Sequence, residues 1–139
     1  MRIGGIIIEL GVPEMREGLA FYRRLIGRPP DPGPEPDFNG WEIFENGWLR
    51  LREGPASPGG PIHLQVDDID AARARLEKEL GIAPASITRR PALPAFCGFG
   101  DPWGNRLGFW QRLEPDRFRR LEGKHHDAGT WSRFLLKQE

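Results

Sequence analysis

Apolar positions along the first third of the chain change their period once. Ile8, Leu10 and Val12 alternate with other residues, the spacing of a strand with one covered face. Pro13-Glu14 then reads as a turn, and the next stretch reads as a helix closed by Gly27 in the position just past its last turn. The same series returns at a constant offset of 54 residues: Leu10 matches Leu64, Val12 matches Val66, Ala20 matches Ala74 and Gly27 matches Gly81. In the second copy Asp67-Asp68 supplies an N-cap, and Ile69, Ala72, Leu76 and Leu80 form one apolar side of the helix.

The segments C-terminal to the two helices also correspond. Trp41 to Phe44 reads as a strand, Asn46-Gly47 as a hairpin turn, and Trp48 to Arg52 as the return strand. In the second half, Phe96 to Gly100 leads through Asp101-Pro102-Trp103-Gly104-Asn105, a turn by composition, into a strand over Arg106 to Trp110. A further strand in each half is expected near Phe38 and near Ile87. The pattern therefore predicts an α+β fold. Two pseudo-symmetric βαβββ modules, residues 1–54 and 61–112, form a curled mixed sheet around a cleft, joined by a linker over 55–60. Helices cover one sheet face, so the other face lines a space shared by the two halves.

Composition narrows the partners. The 139 residues carry 20 basic and 20 acidic side chains, and no long run of one sign, which argues against a nucleic-acid partner. The 18 glycines and 14 prolines are spread as punctuation between periodic segments, so they read as turns. A single cysteine, Cys97, excludes an internal disulfide and reads as a small buried strand residue. The apolar run Ile6 to Ile8 is too short for a leader or a membrane span, so a cytoplasmic protein with no membrane partner is expected. Residues 113–139 form a C-terminal extension with helical spacing at Trp131, Phe134 and Leu135, a patch that needs the domain or a partner subunit to cover it. His125-His126 lie in a Gly-rich stretch that reads as an exposed loop.

Three segments resemble the vicinal oxygen chelate superfamily, which includes glyoxalase I, extradiol dioxygenases and bleomycin resistance proteins. They are the first strand with Val12-Pro13-Glu14, then Phe21-Tyr22-Arg23-Arg24-Leu25-Ile26-Gly27, and the turn Asp101 to Asn105. Val66-Asp67-Asp68-Ile69 repeats the first of them in the second half. The resemblance covers roughly residues 3–112 and implies the paired-module fold and a homodimer. Metal-dependent members hold their ion at four cleft-facing positions, which correspond here to Ile7, Pro61, Arg50 and Gly108. None of these side chains is a metal donor, so no metal and no cofactor are expected.

Strand alternation carries Ile7, Glu9 and Gly11 to the cleft face, together with His63, Gln65, Trp48, Arg50, Arg52, Arg106 and Trp110. Trp103, in a turn, is expected at the cleft mouth. Two readings of the polar set stand. In one, Glu9 and His63 are a catalytic acid–base pair and Arg50 holds an anionic group. In the other, Glu9 is an internal ion-pair partner of Arg50 or Arg106, and His63 is a hydrogen-bonded core residue. The functional expectation is a metal-free small-molecule-binding protein taking an aromatic or anionic compound through Arg50, Arg106, Gln65, Trp48, Trp103 and Trp110. The alternatives are a cofactor-independent isomerase or lyase using Glu9 and His63, and, if the register is displaced, a metal-dependent lyase or dioxygenase.

Overall fold

A computed structural model describes residues 1–33 and 35–112. The expectations placed on 113–139, including the helical extension and His125-His126, lie outside the described residues. Within these, β1 (Ile6–Val12), α1 (Met15–Ile26), β2 (Gly40–Phe44) and β3 (Gly47–Glu53) make the first module. The second contains β4 (Ile62–Gln65), α2 (Ile69–Leu80), β5 (Ala95–Gly100) and β6 (Arg106–Gln111).

Each module folds its strands in the same order. β3 lies between β1 (parallel) and β2 (antiparallel), and β6 lies between β4 (parallel) and β5 (antiparallel). The curled sheet is thus two three-stranded sheets, with no strand pairing between them among the described residues. No strand forms at Phe38; the first module has one isolated bridge, Asp31 to Gly40, and near Ile87 the expected strand is reduced to one isolated bridge, Thr88 to Phe96. Prolines flank both places (Pro29, Pro30 and Pro32; Pro84, Pro91 and Pro94), and a residue without an N–H cannot extend a ladder.

The helix boundaries follow from their caps. The Glu14 carboxylate accepts from the Glu17 N–H at 2.7 Å, and Asp68 does the same for Ala71 at 3.1 Å. Gly27 and Gly81 close the helices in the left-handed region, at φ 92° and 68°. Asn46 takes up the hairpin between β2 and β3 at φ 59°.

One core runs through both modules. Leu10, Val12, Leu49 and Leu51 from the first sheet join Phe21, Tyr22 and Leu25 of α1, Ile69 and Leu76 of α2, and Leu107 and Phe109 of β6. Trp41 is fully buried there, its Nε1–H donating to the Arg28 carbonyl at 2.9 Å. Cys97 is buried as well, with its Sγ 3.2 Å from the Ala85 carbonyl, and burial pushes its thiol up. No described helix is long and apolar enough to cross a membrane.

A polar clasp crosses between the modules. The Tyr22 hydroxyl donates to Asp101 Oδ2 at 2.7 Å, and Asp101 also accepts from the Asn105 N–H and the Asn105 carboxamide. The Asn105 Nδ2 donates onward to the Gly11 carbonyl at 2.7 Å, while its Oδ1 accepts from the Ser57 N–H at 2.8 Å. Burial, reinforced by the hydrogen bond to Asp101, holds the Tyr22 phenol far above its ordinary range, so it stays a donor. Asp101 and Asn105 are the buried polar side chains of the described core. Their turn is a tie between α1, the linker and β1, a function its composition did not reveal. The helices are also joined at their C-terminal ends, where Arg75 donates to the Leu25 carbonyl at 3.0 Å and to that of Arg24.

Candidate functional site

Register decides what each sheet presents. Residues paired directly across parallel strands point to the same face. Glu9 is opposite Arg50, Gly11 opposite Arg52, and Ile7 opposite Trp48. In the second module His63 is opposite Gly108, and Gln65 opposite Trp110. The two sets have their faces turned away from the core, as the alternation predicts. Arg50 and Gly108 hold equivalent places in the two ladders.

Glu9 is fully engaged on that face. Its Oε2 accepts from Arg50 Nε and Nη2 at 3.0 and 2.7 Å, and its Oε1 accepts from Arg52 Nε at 2.9 Å. The Arg50 guanidinium chiefly, helped by Arg52, holds the Glu9 carboxyl below its ordinary range against a smaller opposing effect of burial. The Arg50 guanidinium also lies 5.1 Å from the centre of the Phe38 ring. A carboxylate shared by two arginines is a weak proton acceptor, so the ion-pair reading of Glu9 describes its geometry.

His63 has a different environment. Its ring packs edge-on against Phe96, with centroids 5.5 Å apart, and lies over Gly108, where an added Cβ would meet its Cδ2 at 2.7 Å. No hydrogen bond or ion pair joins His63 to Glu9 among the described residues. The Glu9 carboxylate is instead taken up by Arg50 and Arg52.

A cavity of about 510 Å³ opens between the two sheets, where β1 and β4 present their unpaired edges. Ile6, Ile8, Ile43, Phe44, Trp48 and Leu49 line it from the first module. Ile62, Leu64 and Trp110 line it from the second, with His63, Gln65 and Asp67 as its polar groups. It is thus apolar with a polar margin on the β4 side, and no Arg or Lys of the described residues is among its walls. Of the expected site residues, Trp48, His63, Gln65 and Trp110 meet here. Glu9, Arg50 and Arg106 do not line it. Trp103 is also elsewhere: its ring packs edge-on against Phe21 of α1 at 5.6 Å, on the core side.

Nine lining residues were not foreseen: Ile6, Ile8, Ile43, Phe44, Gly47, Leu49, Ile62, Leu64 and Asp67. The signal for four of them was present. Ile6-Ile7-Ile8 and Ile43-Phe44 are unbroken apolar runs, and a strand end that is apolar on both parities has something to cover on both faces. Ile6, Ile7, Ile43 and Phe44 are indeed exposed, Phe44 at 64%.

The four positions that hold the metal in the resembled enzymes do not fit one here. Ile7, Pro61 and Gly108 have no donor atom, and Arg50 brings a guanidinium already bonded to Glu9. Among the described residues no three His, Cys, Asp or Glu side chains gather where they could hold an ion.

No protein-family model and no curated protein matches the sequence. Solved structures do match. A glyoxalase/bleomycin resistance protein from Catenulispora acidiphila DSM 44928 is 24% identical, with a TM-score of 0.62 over 78% of this chain and 98% of that one. TnmS3, an antibiotic binding protein from Streptomyces sp. CB03234, is 26% identical, with a TM-score of 0.63 over 81% and 99%. A lactoylglutathione lyase from Agrobacterium tumefaciens is 18% identical, with a TM-score of 0.58 over 78% and 92%.

Proposed function

We propose that this chain, which has the vicinal oxygen chelate fold, is a binding protein for a small, flat, apolar compound. The ligand is held without a metal in the cavity between β1 and β4. The observation that carries this reading is the cavity lining. Its size suits a compound of a few fused or linked rings, two indoles and a wall of Ile and Leu supply contact area, and polar groups are confined to one margin. The antibiotic-binding activity named for TnmS3 is consistent with it. The cationic groups expected to select an anion, Arg50 and Arg106, are outside this cavity, and Arg50 with Arg52 neutralises Glu9, so the preferred ligand is uncharged.

The cofactor-free isomerase or lyase reading finds no support in the placement of Glu9 and His63. The neutral fluorophore N-phenyl-1-naphthylamine tests the binding reading. Saturable binding at one site per chain is expected, with affinity lowered about tenfold or more by Ile43→Lys. That side chain is partly exposed, so a charge there is compatible with folding but places a cation on the apolar rim. Absence of saturable binding by the parent protein would refute the assignment.

A further inference from the structure

Two strand edges, β1 and β4, border the cavity, and their main-chain groups are unequally satisfied. Val66 N–H donates to the Trp110 carbonyl at 2.9 Å, extending the ladder in which Ile62 and Leu64 bond to β6. The main chain alternates along a parallel strand, so the N–H and C=O groups of His63 and Gln65 point the other way, into the seam. On β1, Ile6 N–H donates to Asn46 and the Val12 carbonyl accepts from Gly54. Ile7, Glu9 and Gly11 therefore turn their main chain to the same seam.

At one end the seam is closed by groups of the protein. Gly11 N–H donates to Ser57 Oγ at 3.2 Å, the Ser57 hydroxyl donates to the Glu9 carbonyl at 3.0 Å, and the Asn105 carboxamide donates to the Gly11 carbonyl. A side-chain amide thus does there what a neighbouring strand would do. The internal repeat makes Gln65 the counterpart of Gly11 and His63 the counterpart of Glu9. No described residue caps the outward N–H and C=O of either, and these are the residues on the cavity margin.

Resting on the binding reading above, we infer that the ligand carries a secondary amide that lies across the seam between β4 and β1. A trans amide presents its C=O and N–H in opposite directions, the arrangement that two facing strand edges require. Its carbonyl accepts from an outward N–H on one edge and its N–H donates to an outward carbonyl on the other. The groups that meet it are those of His63 and Gln65 on β4 and, between the lining residues Ile6 and Ile8, of Ile7 on β1. Flanking rings occupy the apolar walls. Recognition is thereby main-chain pairing of the kind used in strand addition, confined to one amide.

Benzanilide and phenyl benzoate test this, since they share a ring–linker–ring shape and differ in the amide N–H. Each is titrated against the full chain by displacement of N-phenyl-1-naphthylamine, and amide hydrogen exchange of the protein is followed by NMR. Benzanilide is expected to bind about tenfold more tightly, about 1.4 kcal/mol. Slowed exchange at an outward amide of His63, Gln65 or Ile7 is expected with benzanilide alone. Equal affinities, or preference without slowed exchange at these amides, would overturn the amide inference and leave the apolar cavity standing. Failure of both compounds to displace a bound fluorophore would also overturn it. Failure of the fluorophore itself to bind would remove the binding reading and the inference together.

Discussion

Replacing Asn105 by alanine removes a side chain that is fully buried and makes three hydrogen bonds: to the Gly11 carbonyl, to Asp101 Oδ2 and from the Ser57 N–H, all between 2.7 and 2.8 Å. Asp101 keeps its bonds from Tyr22 and from the Asn105 and Trp103 main chain, so its loss is small. The Gly11 carbonyl and the Ser57 N–H lose partners, and each unsatisfied buried group costs about 1–3 kcal/mol. Ser57 is only partly buried, which places the total near ~3 kcal/mol. For a domain of this size that lowers the melting temperature by about 10 °C. Urea unfolding followed by tryptophan emission gives the comparison, with the slope checked for equality between variants. Asn105→Asp keeps the acceptor for Ser57 but sets a second carboxylate beside Asp101, so its deficit should be larger at neutral pH than in mild acid. A loss below about 1 kcal/mol for Asn105→Ala would show that the clasp does not hold the modules together.

Glu9→Gln should lower stability at neutral pH by less than about 1 kcal/mol, because the partners are about a third exposed and solvent screens them. The Glu9 carboxyl is held below its ordinary range, so its contribution is present above that range and is lost as pH falls through the lowered value. The difference between parent and variant should therefore vanish in acid; a difference that grows there contradicts the ion-pair assignment. Cys97 should react with a thiol reagent in the native protein only as fast as the protein opens, and rapidly in denaturant, because burial raises its thiol and encloses it. Prompt native labelling would contradict its placement in the core.

The fold was legible because its signals are local and repeated. The strand alternation at Leu10 and Val12, the closing glycines 27 and 81, and the Asn46-Gly47 hairpin each fix a backbone state by short-range chemistry. The copy 54 residues on makes the pairing of modules readable as well. The face of each strand followed from its parity, and Trp48, His63, Gln65 and Trp110 line the cavity between the sheets. Where those faces sit relative to each other was not legible, since separation of the two sheets depends on the clasp at Asp101 and Asn105 and on the α1–α2 contact. Parity alone grouped Glu9 and Arg50 with Trp48 and His63, whereas the cavity lies at the seam and neither Glu9 nor Arg50 lines it. Trp103 shows the same limit: a turn residue has no parity, and α1 supplied the ring it packs on.

Where an apolar ligand sits is tested most directly by NMR mapping with N-phenyl-1-naphthylamine. Binding at the seam predicts that the largest shifts fall on the indole N–H signals of Trp48 and Trp110 and on the amides of Ile8, Ile62 and Leu64. Shifts centred instead on Glu9, Arg50 and Arg52, with the two indoles unmoved, would contradict it.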